Sequence, residues 1–319
     1  MIEFGYSLSS EEFSPQDLVE CAQQAETAGF TFSLISDHFH PWSDNQPNSP
    51  FVWSVIGGIS QRVKHLRLGT GVTCPTMRIS PAIVAQAAAT AAVMMKGQFF
   101  LGVGTGENLN EHIGGQHWPL PSQRLEMLEE AIDVIRLLWK GGWQSHHGKY
   151  FNVEQARIFT LPKETPSIMV AASNPLAAEL AGRCGDGLIS FEPKRALVKK
   201  FQQAGGKDKP RYGQQTVCYA PTKEEAARVV RKHWPNAGIG GPLMTDLSLP
   251  AHFDAVINLM QPEKIIEGMA LGPDPADHVA AIKEFIDAGF DHVYIHQVGP
   301  NQKEFFRFYT EQVLPRFNN

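Results

Sequence analysis

The sequence predicts an α/β protein built as one (β/α)8 barrel, a TIM barrel, with insertions, over residues 1–319. Three observations support this prediction. Short apolar runs typical of buried strands alternate with helical segments eight times along the chain. The 319 residues suit one barrel with an inserted segment, and 43% hydrophobic against 19% charged residues is a globular balance. The competing arrangement is a doubly wound parallel sheet.

The elements follow in order from local signals. The first helix shows them well, because Ser14 can cap it, Pro15 suits its first turn and Gly29 ends it. The predicted strands are Glu3–Ser7, Phe32–Ser36, Leu66–Val72, Gln98–Val103, Ser167–Ala172, Gly187–Ser190, Thr216–Ala220 and His292–Val298. The later predicted helices are Trp53–Val63, Pro81–Met95, Arg124–Trp139, Ala177–Cys184, Arg195–Ala204, Thr222–His233, Asp274–Ala288 and Lys303–Val313.

Two segments fall outside this alternation. Trp143–Phe159 reads as a hairpin that turns at His147-Gly148-Lys149. The stretch at about 234–262 is first rich in proline and glycine and then irregularly apolar, so we interpret it as an insertion and not as a linker to a second core.

Composition argues against several classes of function. The net charge is −5 without a basic stripe, so no nucleic-acid partner is expected. The mean hydropathy of −0.21, with no apolar run of about 18 residues, argues against a membrane protein. The start of the chain lacks a signal-peptide pattern, so we expect a cytoplasmic protein. The cysteines form no CxxC pair and the histidines show no metal-ligand spacing, so we predict free thiols and no catalytic metal.

In a barrel, chemistry belongs where strands end at the carboxyl side. After the second predicted strand come Asp37, His38 and Trp42. His38 could move a proton near neutral pH, and Asp37 could orient a ring or accept a hydrogen bond. Trp42 offers a flat face and an N–H donor. A polar loop with a packed tryptophan is the alternative interpretation.

The loop after the fourth strand runs from Gly102 to His112 and resembles a weak GxGxxG motif. No long helix opens directly behind it, so a dinucleotide fingerprint fits poorly. Gly106 lets the backbone approach a planar ligand, Glu107 could exchange a proton, and Asn110 could present an amide to a ligand. The alternative is a tight glycine turn with solvated acids.

Two further loops carry candidate cofactor contacts. Cys74, after the third strand, lies among small and hydroxylated residues that leave room for a ring system. Ser173 and Asn174, after the fifth strand, lead into a helix whose free N–H groups could bind a phosphate. Simple helix capping explains this last segment equally well.

Several segments together resemble the luciferase-like flavin and F420 oxidoreductase superfamily, especially the branch containing F420-dependent glucose-6-phosphate dehydrogenase. They are Ser36–Trp42 (SDHFHPW), Leu68–Thr76, Ser80-Pro81 before IVAQAAAT, Leu101–Glu111 (LGVGTGENLNE) and Ala181–Gly187 (AGRCGDG). The resemblance covers nearly the whole chain. It implies a TIM barrel with the cofactor ring at the carboxyl-terminal mouth.

The resemblance also implies roles for individual residues. It makes His38 the base for the substrate hydroxyl, Trp42 the residue that stabilises the reacting state, and Glu107 the acid that serves the cofactor ring. Asp37 and Asn110 match cofactor-side contacts. Gly71-Val72 falls where the family commonly has a non-proline cis peptide bond behind the ring.

The sequence departs from the pattern of this branch in two places. In the loop after strand six only Lys194 matches the sugar-phosphate site, because Phe191 and Glu192 replace the hydroxyl pair, and this argues against glucose 6-phosphate. The segments Asn110–Pro119, Leu249–Ala255 and Val298–Gln302 are similar to a side group that uses an ordinary flavin. The expected cofactor is therefore FMN or F420, with a slight preference for FMN.

These observations predict an oxidoreductase that uses FMN or F420 for hydride transfer to or from a small organic substrate. One alternative is a two-component monooxygenase that presents reduced FMN to oxygen. The alternative from another class is a non-catalytic flavin-binding protein. Members of the resembled family are often homodimers, so we expect a homodimer.

Overall fold

The computed structural model describes residues 2–317 and contains a closed barrel of eight parallel strands, which confirms the predicted fold class. The strands in chain order are β1 Glu3–Leu8, β2 Phe32–Ile35, β3 Arg67–Thr70, β4 Phe99–Val103, β5 Gln144–His147, β6 Asn152–Ala156, β7 Ile168–Ala171, β8 Gly187–Ser190, β9 Arg211–Cys218, β10 Ala270–Leu271 and β11 His292–Gln297. The barrel closes because β9 pairs with both β8 and β11, and β11 pairs with β1.

Most helices cover the outside of the barrel, and a few short ones lie in the loops at its carboxyl-terminal end. The helices are α1 Pro15–Thr27, α2 Val52–Ile59, α3 Pro81–Met94, α4 Asn108–Glu111, α5 Pro121–Trp139, α6 Pro175–Cys184, α7 Arg195–Phe201, α8 Lys223–His233, α9 Leu243–Asp246, α10 Pro250–Ile257, α11 Pro262–Ile265, α12 Pro275–Ala288 and α13 Gln302–Phe308. Ser14 caps α1 through Asp17 N–H, as its sequence position predicts. Among these helices none is both long and apolar enough to cross a membrane.

The seventh barrel strand is the main error in the element prediction. The strand expected at Thr216–Ala220 spans Arg211–Cys218 and so begins five residues earlier. The first half of this strand is rich in polar side chains, so it lacks the apolar run that indicates a buried strand in a sequence. The hairpin expected within Trp143–Phe159 is confirmed as the antiparallel pair β5–β6, which lies apart from the barrel sheet.

The barrel interior is filled by its own apolar cluster. Phe32 meets Tyr212 edge to face, with ring centroids 5.2 Å apart. The cluster consists of Phe32, Leu34, Phe100, Met169, Ile189, Tyr212 and Tyr294. A second and larger cluster fills the space between the strands and the helices. Because side chains plug the centre, a ligand of this barrel has to bind at one end.

The amino-terminal end of the barrel is closed by charged pairs. Arg211 donates through Nε to Asp291 Oδ2 at 2.9 Å, and Asp291 Oδ1 lies 2.6 Å from His292 Nδ1. Glu3 pairs with Arg67 and lies 3.4 Å from His292 Nε2. Because these charged groups pair with one another, chemistry is expected at the opposite, carboxyl-terminal end of the barrel.

The segment between α8 and β10 contains the short helices α9, α10 and α11 and packs against loops at the carboxyl-terminal end. Phe253 and Ile239 of this segment form an apolar cluster with Trp42 and Leu109, which follow β2 and β4. Asp254 accepts hydrogen bonds from Ser43 Oγ at 2.6 Å and from Asp44 N at 3.1 Å. The segment is therefore fixed to the candidate catalytic loops by both apolar and polar contacts.

Candidate active site at the carboxyl-terminal mouth

His38 lies just beyond β2 and is packed between a carboxylate and an indole ring. Its Nδ1 is 3.2 Å from Glu11 Oε1, within ion-pair distance but out of line for a hydrogen bond. Its ring meets Trp42 edge to face, with centroids 4.8 Å apart. Only 9% of the His38 side chain is exposed. The imidazole is thus held in one orientation at the end of the barrel where chemistry is expected.

Glu11, in the loop after β1, provides this orientation. Its Oε2 accepts hydrogen bonds from Ser9 Oγ at 3.0 Å and from Ser36 Oγ at 2.9 Å. These two bonds leave Oε1 facing His38. A buried carboxylate fixed in this way can set the ring orientation of a neighbouring histidine and stabilise its protonated form.

Trp42 is fixed by its neighbours as well. Its backbone N–H donates to Gln46 Oε1 at 2.9 Å, and its ring meets Phe253 with centroids 5.3 Å apart. Gln46 Nε2 donates in turn to Asn236 Oδ1 at 3.2 Å. Trp42 therefore joins His38 to the inserted segment.

Glu107 lies after β4 and is partly exposed, immediately before α4. Asn110 Nδ2 donates to Glu107 Oε2 at 3.3 Å. The amide oxygen of Asn110 accepts from the backbone N–H groups of Phe39 at 2.9 Å and His40 at 3.1 Å. Asn110 thus links the His38 loop to Glu107. Its side-chain oxygen is used within the protein.

Asp37 is buried beneath the mouth beside Arg78. Its Oδ1 accepts from Arg78 Nη2 at 2.8 Å, and its Oδ2 accepts from Thr73 Oγ1 at 2.7 Å. Glu111 Oε2 accepts from the Arg78 backbone N–H at 2.8 Å, and Glu111 Oε1 is 3.6 Å from Arg78 Nε. One guanidinium therefore lies between two buried carboxylates.

The charge balance of this group affects Glu111. Burial raises the pKa of the Glu111 carboxyl to about 7, although the positive charge of Arg78 opposes that rise. Glu107 and Asp37 add to it through charge repulsion. Glu111 is thus a carboxyl that changes charge near neutral pH, close to the partly exposed Glu107.

Glycines give the mouth a close-packed floor. The peptide bond between Gly71 and Val72 is cis, as the resemblance implies. A Cβ on Gly104 would lie 2.7 Å from Val72 Cγ2. Gly106 has a φ of +75°, and a Cβ there would lie 2.7 Å from Cys74 Sγ. Side chains at these positions would fill the space above Val72 and Cys74.

Cys74 and the Ser173-Asn174 pair differ in their accessibility. Burial raises the pKa of the Cys74 thiol well above its ordinary value, and its Sγ lies 3.1 Å from Thr76 Oγ1. Ser173 and Asn174 are exposed at the start of α6. Asn174 Oδ1 accepts from Ala177 N at 3.0 Å, so the Asn174 side chain caps the helix.

A second buried carboxylate–histidine pair lies beside the first. Glu12 Oε2 is 2.7 Å from His296 Nε2, and Glu12 Oε1 accepts from Gly299 N at 2.8 Å. Trp234 meets the His296 ring edge to face at 4.4 Å. Consecutive glutamates after β1 thus each hold a histidine from a neighbouring strand or the loop after it.

Lys194 is paired within its own loop. Its Nζ lies 2.7 Å from Glu192 Oε2, and both side chains are about half exposed.

Within residues 2–317 there is no group of three or more histidine, cysteine or acidic side chains placed to hold a metal ion.

Sequence reasoning missed Glu11, Arg78 and Glu111 as parts of this site. Glu11 follows β1 just as His38 follows β2, so its position after a strand could have revealed it. Arg78 gives no comparable signal, because its partners are 33 and 41 residues away in the chain.

Comparisons with known proteins agree with this architecture. The family described as "Luciferase-like monooxygenase" matches residues 1–292. The F420-dependent glucose-6-phosphate dehydrogenase of Microbacterium testaceum (strain StLB037) is 33% identical over 327 residues, covering 99% of this chain and 97% of that protein. The protein of the same name from Amycolatopsis mediterranei (strain U-32) is 32% identical over 329 residues, covering 99% and 98%.

Solved structures show the same barrel. An F420-dependent secondary alcohol dehydrogenase, in complex with an F420-acetone adduct, has a TM-score of 0.91 and 29% identity, covering 98% of each chain. Monooxygenase RslO1 from Streptomyces bottropensis shares the fold, with a TM-score of 0.76 and 17% identity, covering 99% of this chain and 100% of that one. The resemblance seen in the sequence is thereby confirmed, and the chain belongs to the luciferase-like monooxygenase family.

Proposed function

We propose that this protein is an oxidoreductase that transfers a hydride between a small organic substrate, other than glucose 6-phosphate, and FMN or F420. The observation that carries the proposal is the packing of His38 between Glu11 and Trp42 at the same mouth as Glu107. Relatives named as F420-dependent dehydrogenases support the cofactor class.

The floor of the mouth fits a planar ring. Val72 is partly buried at the top of the interior cluster, and the missing Cβ of Gly104 keeps the surface beside it free. Gly106 lies against Cys74 beside this floor. Asp37 and Asn110, the other cofactor-side candidates, are buried, and their side-chain oxygens accept hydrogen bonds from neighbouring loops. Ser173 and the first turn of α6 are the candidates for binding a phosphate. When bound, FMN or F420 supplies the two-electron hydride chemistry.

The protein's part of the reaction is proton handling and positioning. His38 accepts a proton from a substrate hydroxyl during oxidation and returns it during reduction. Glu11 stabilises the imidazolium that forms, because its free carboxylate oxygen faces the ring. Glu107 exchanges a proton at the mouth while Asn110 holds its carboxylate. Trp42 excludes water from one side of His38.

The charges around the mouth argue for an uncharged substrate. A sugar phosphate needs several cationic contacts. Lys194, which matches the family's phosphate site, is neutralised by Glu192 at 2.7 Å. Phe191 beside it is 47% exposed and provides an apolar surface instead.

Binding and turnover test the proposal directly. Fluorescence titration with FMN and with F420 should give saturable binding of one of them. The bound cofactor should then be reduced without oxygen by one of a panel of small alcohols. Oxygen consumption with supplied reduced FMN, and no anaerobic alcohol oxidation, would identify the monooxygenase alternative. Binding without either activity would identify a flavin-binding protein, and no binding would contradict the enzyme proposal.

Variants then test the residue roles. His38→Ala should lower turnover by roughly 10²–10⁴-fold with little effect on cofactor affinity, because it removes the proton acceptor. Glu107→Gln should lower turnover by a similar factor. His65→Ala, at an exposed histidine at the other end of the barrel, is the matched control and should leave turnover unchanged. Unchanged turnover in His38→Ala would contradict its catalytic assignment.

We propose that a second copy of the chain covers the outer face of α2 and α3. Helix α3 carries no charged residue, and its exposed positions include Ile83, Val93 and Met94. A groove of about 290 Å³ runs between α2 and α3 and contains Phe51 at its edge. Exposed apolar patches mark interaction sites, homodimer interfaces are more apolar than other protein surface, and a two-fold dimer uses the same patch on both copies.

A further inference from the structure

Arg78 is the cation that joins three loops of the mouth. It lies in the loop after β3, its guanidinium binds Asp37 after β2, and its backbone and side chain meet Glu111 after β4. The Arg78 side chain is only 6% exposed, and those of Asp37 and Glu111 are 1% exposed. This group lies behind the mouth, so it is not available as a surface charge.

The candidate catalytic residues His38 and Glu107 are connected through the backbone to the two carboxylates that Arg78 contacts. Asp37 directly precedes His38. Glu111 is the last residue of the helical turn that Glu107 begins, and its N–H donates to Glu107 O at 3.1 Å. On the front of the site Asn110 makes a second link, from Glu107 to the Phe39 and His40 amides.

We propose that Arg78 is a positioning residue: by binding Asp37 and Glu111 together it fixes the separation of His38 and Glu107 across the mouth. The roles of His38 and Glu107 in this statement rest on the proposed function. A guanidinium suits the task, because one rigid plane carries both Nη2, which donates to Asp37, and Nε, which lies at ion-pair distance, 3.6 Å, from Glu111 Oε1.

The charges of the group make the Glu111 contact sensitive to pH. Arg78, Asp37, Glu107 and the Cys74 thiol are the titratable groups that face Glu111. Two carboxylates share one cation, so one carboxyl is favoured in its protonated form. Protonation of Glu111, whose pKa burial raises to about 7, weakens its ion pair with the Arg78 guanidinium and leaves the hydrogen bond from Arg78 to Asp37 intact.

Hydrogen exchange of the ligand-free protein tests the coupling without any activity. In Glu111→Gln at pH 8, the amides of residues 37–40 should exchange roughly tenfold faster or more, although the substitution lies in another loop. Arg78→Lys should accelerate exchange in residues 37–40 and in residues 107–111 together. If Arg78→Lys fails to fold, Asp37→Asn, read at residues 107–111, takes its place.

Arg211→Lys is the matched control, because Arg211 also binds an aspartate but lies at the opposite end of the barrel. It should change neither segment. Acceleration confined to the substituted loop, in both Arg78→Lys and Glu111→Gln, would overturn the proposal. Failure of the wild type to bind FMN or F420 would instead contradict the proposed function, and the exchange result would still decide the coupling.

A kinetic measurement separates positioning from general loosening. In the anaerobic alcohol assay, Arg78→Lys should lower kcat at least tenfold with KM changed less than about twofold, because the substrate does not bind Arg78. Glu111→Gln should show the same split at pH 8 and a smaller one at pH 6, where the wild-type carboxyl is itself largely protonated. Equal changes in kcat and KM at both pH values would contradict a positioning role.

Discussion

At the scale of single residues, the mouth depends on buried carboxylates whose partners are fixed. Glu11 uses one oxygen for two serine hydroxyls and turns the other to His38. Glu111 has a less favourable environment, because Arg78 also serves Asp37. The physical difference is that Glu11 receives two hydrogen bonds from neutral hydroxyls, whereas Glu111 receives one from the Arg78 backbone N–H and lies 3.6 Å from a guanidinium nitrogen whose group also binds Asp37.

This competition predicts a pH-dependent stability. The Glu111 pKa is about 7 in the folded protein against 4.5 for the free group, so the native state retains its proton between these values. Stability therefore falls as pH rises through that window and levels off above it. Glu111→Gln cannot titrate, so between pH 4.5 and pH 8 the free energy of unfolding of the wild type should fall by on the order of 3 kcal/mol more than that of the variant.

Urea unfolding of both proteins at several pH values measures this difference. Glu263→Gln, at an exposed glutamate, is the control and should follow the wild-type pH dependence. Parallel stability curves for wild type and Glu111→Gln would show that Glu111 does not titrate in this window.

Residues at strand ends were predictable from sequence, whereas their supports were not. His38 and Glu107 directly follow strands whose apolar runs are clear, so a barrel prediction places them at the mouth. The Arg78 contacts depend on three loops meeting in space, and no local pattern encodes that meeting. Asp37 was predicted on the cofactor side, and the structure shows that its two oxygens bind Arg78 and Thr73.

At the scale of elements, the loop after β2 is held from two sides. Asn110 of α4 binds its first part, and Asp254 of α10 binds Ser43 and Asp44 in its second part. The order of strands and helices was largely predictable because each strand is short and apolar. The start of β9 was not, because Gln214 and Gln215 interrupt the apolar pattern there.

Asp254 should therefore stabilise the loop that carries Trp42. Asp254→Ala removes the acceptor of two hydrogen bonds and should lower the free energy of unfolding by about 1–3 kcal/mol. Hydrogen exchange should accelerate at residues 43–46, and Asp254→Asn, which keeps one acceptor oxygen, should show a smaller effect. Unchanged exchange at residues 43–46 in Asp254→Ala would show that the inserted segment does not hold this loop.

At the scale of the whole molecule, the barrel has two different ends and one uncharged side. Ion pairs close the amino-terminal end, and the carboxyl-terminal end carries the candidate site. The uncharged side consists of α2 and α3. A barrel could be predicted from the alternation of elements, but the exposure of Ile83 and Met94 required the structure, because the alanine-rich helix fits equally well against the barrel.

The second-copy proposal predicts a dimer in solution. Analytical ultracentrifugation should give about twice the mass of one chain, and Ile83→Glu should shift the protein to monomers, because it places a charge in the covered face. Leu259→Glu, at a leucine that is 86% exposed on the inserted segment, is the control and should leave the mass unchanged. A monomeric wild type would contradict the proposal.

The adjacent glutamates after β1, Glu11 and Glu12, fix the length of the turn that follows this strand. The carboxylate of Glu11 faces His38 after β2, and the carboxylate of Glu12 faces His296 in β11, on the other side of β1. Lengthening or shortening the turn by a single position would deprive both imidazoles of their counter-charges at once. The loop after the first strand therefore positions His38 on one side of β1 and His296 on the other, although it supplies no candidate proton donor of its own.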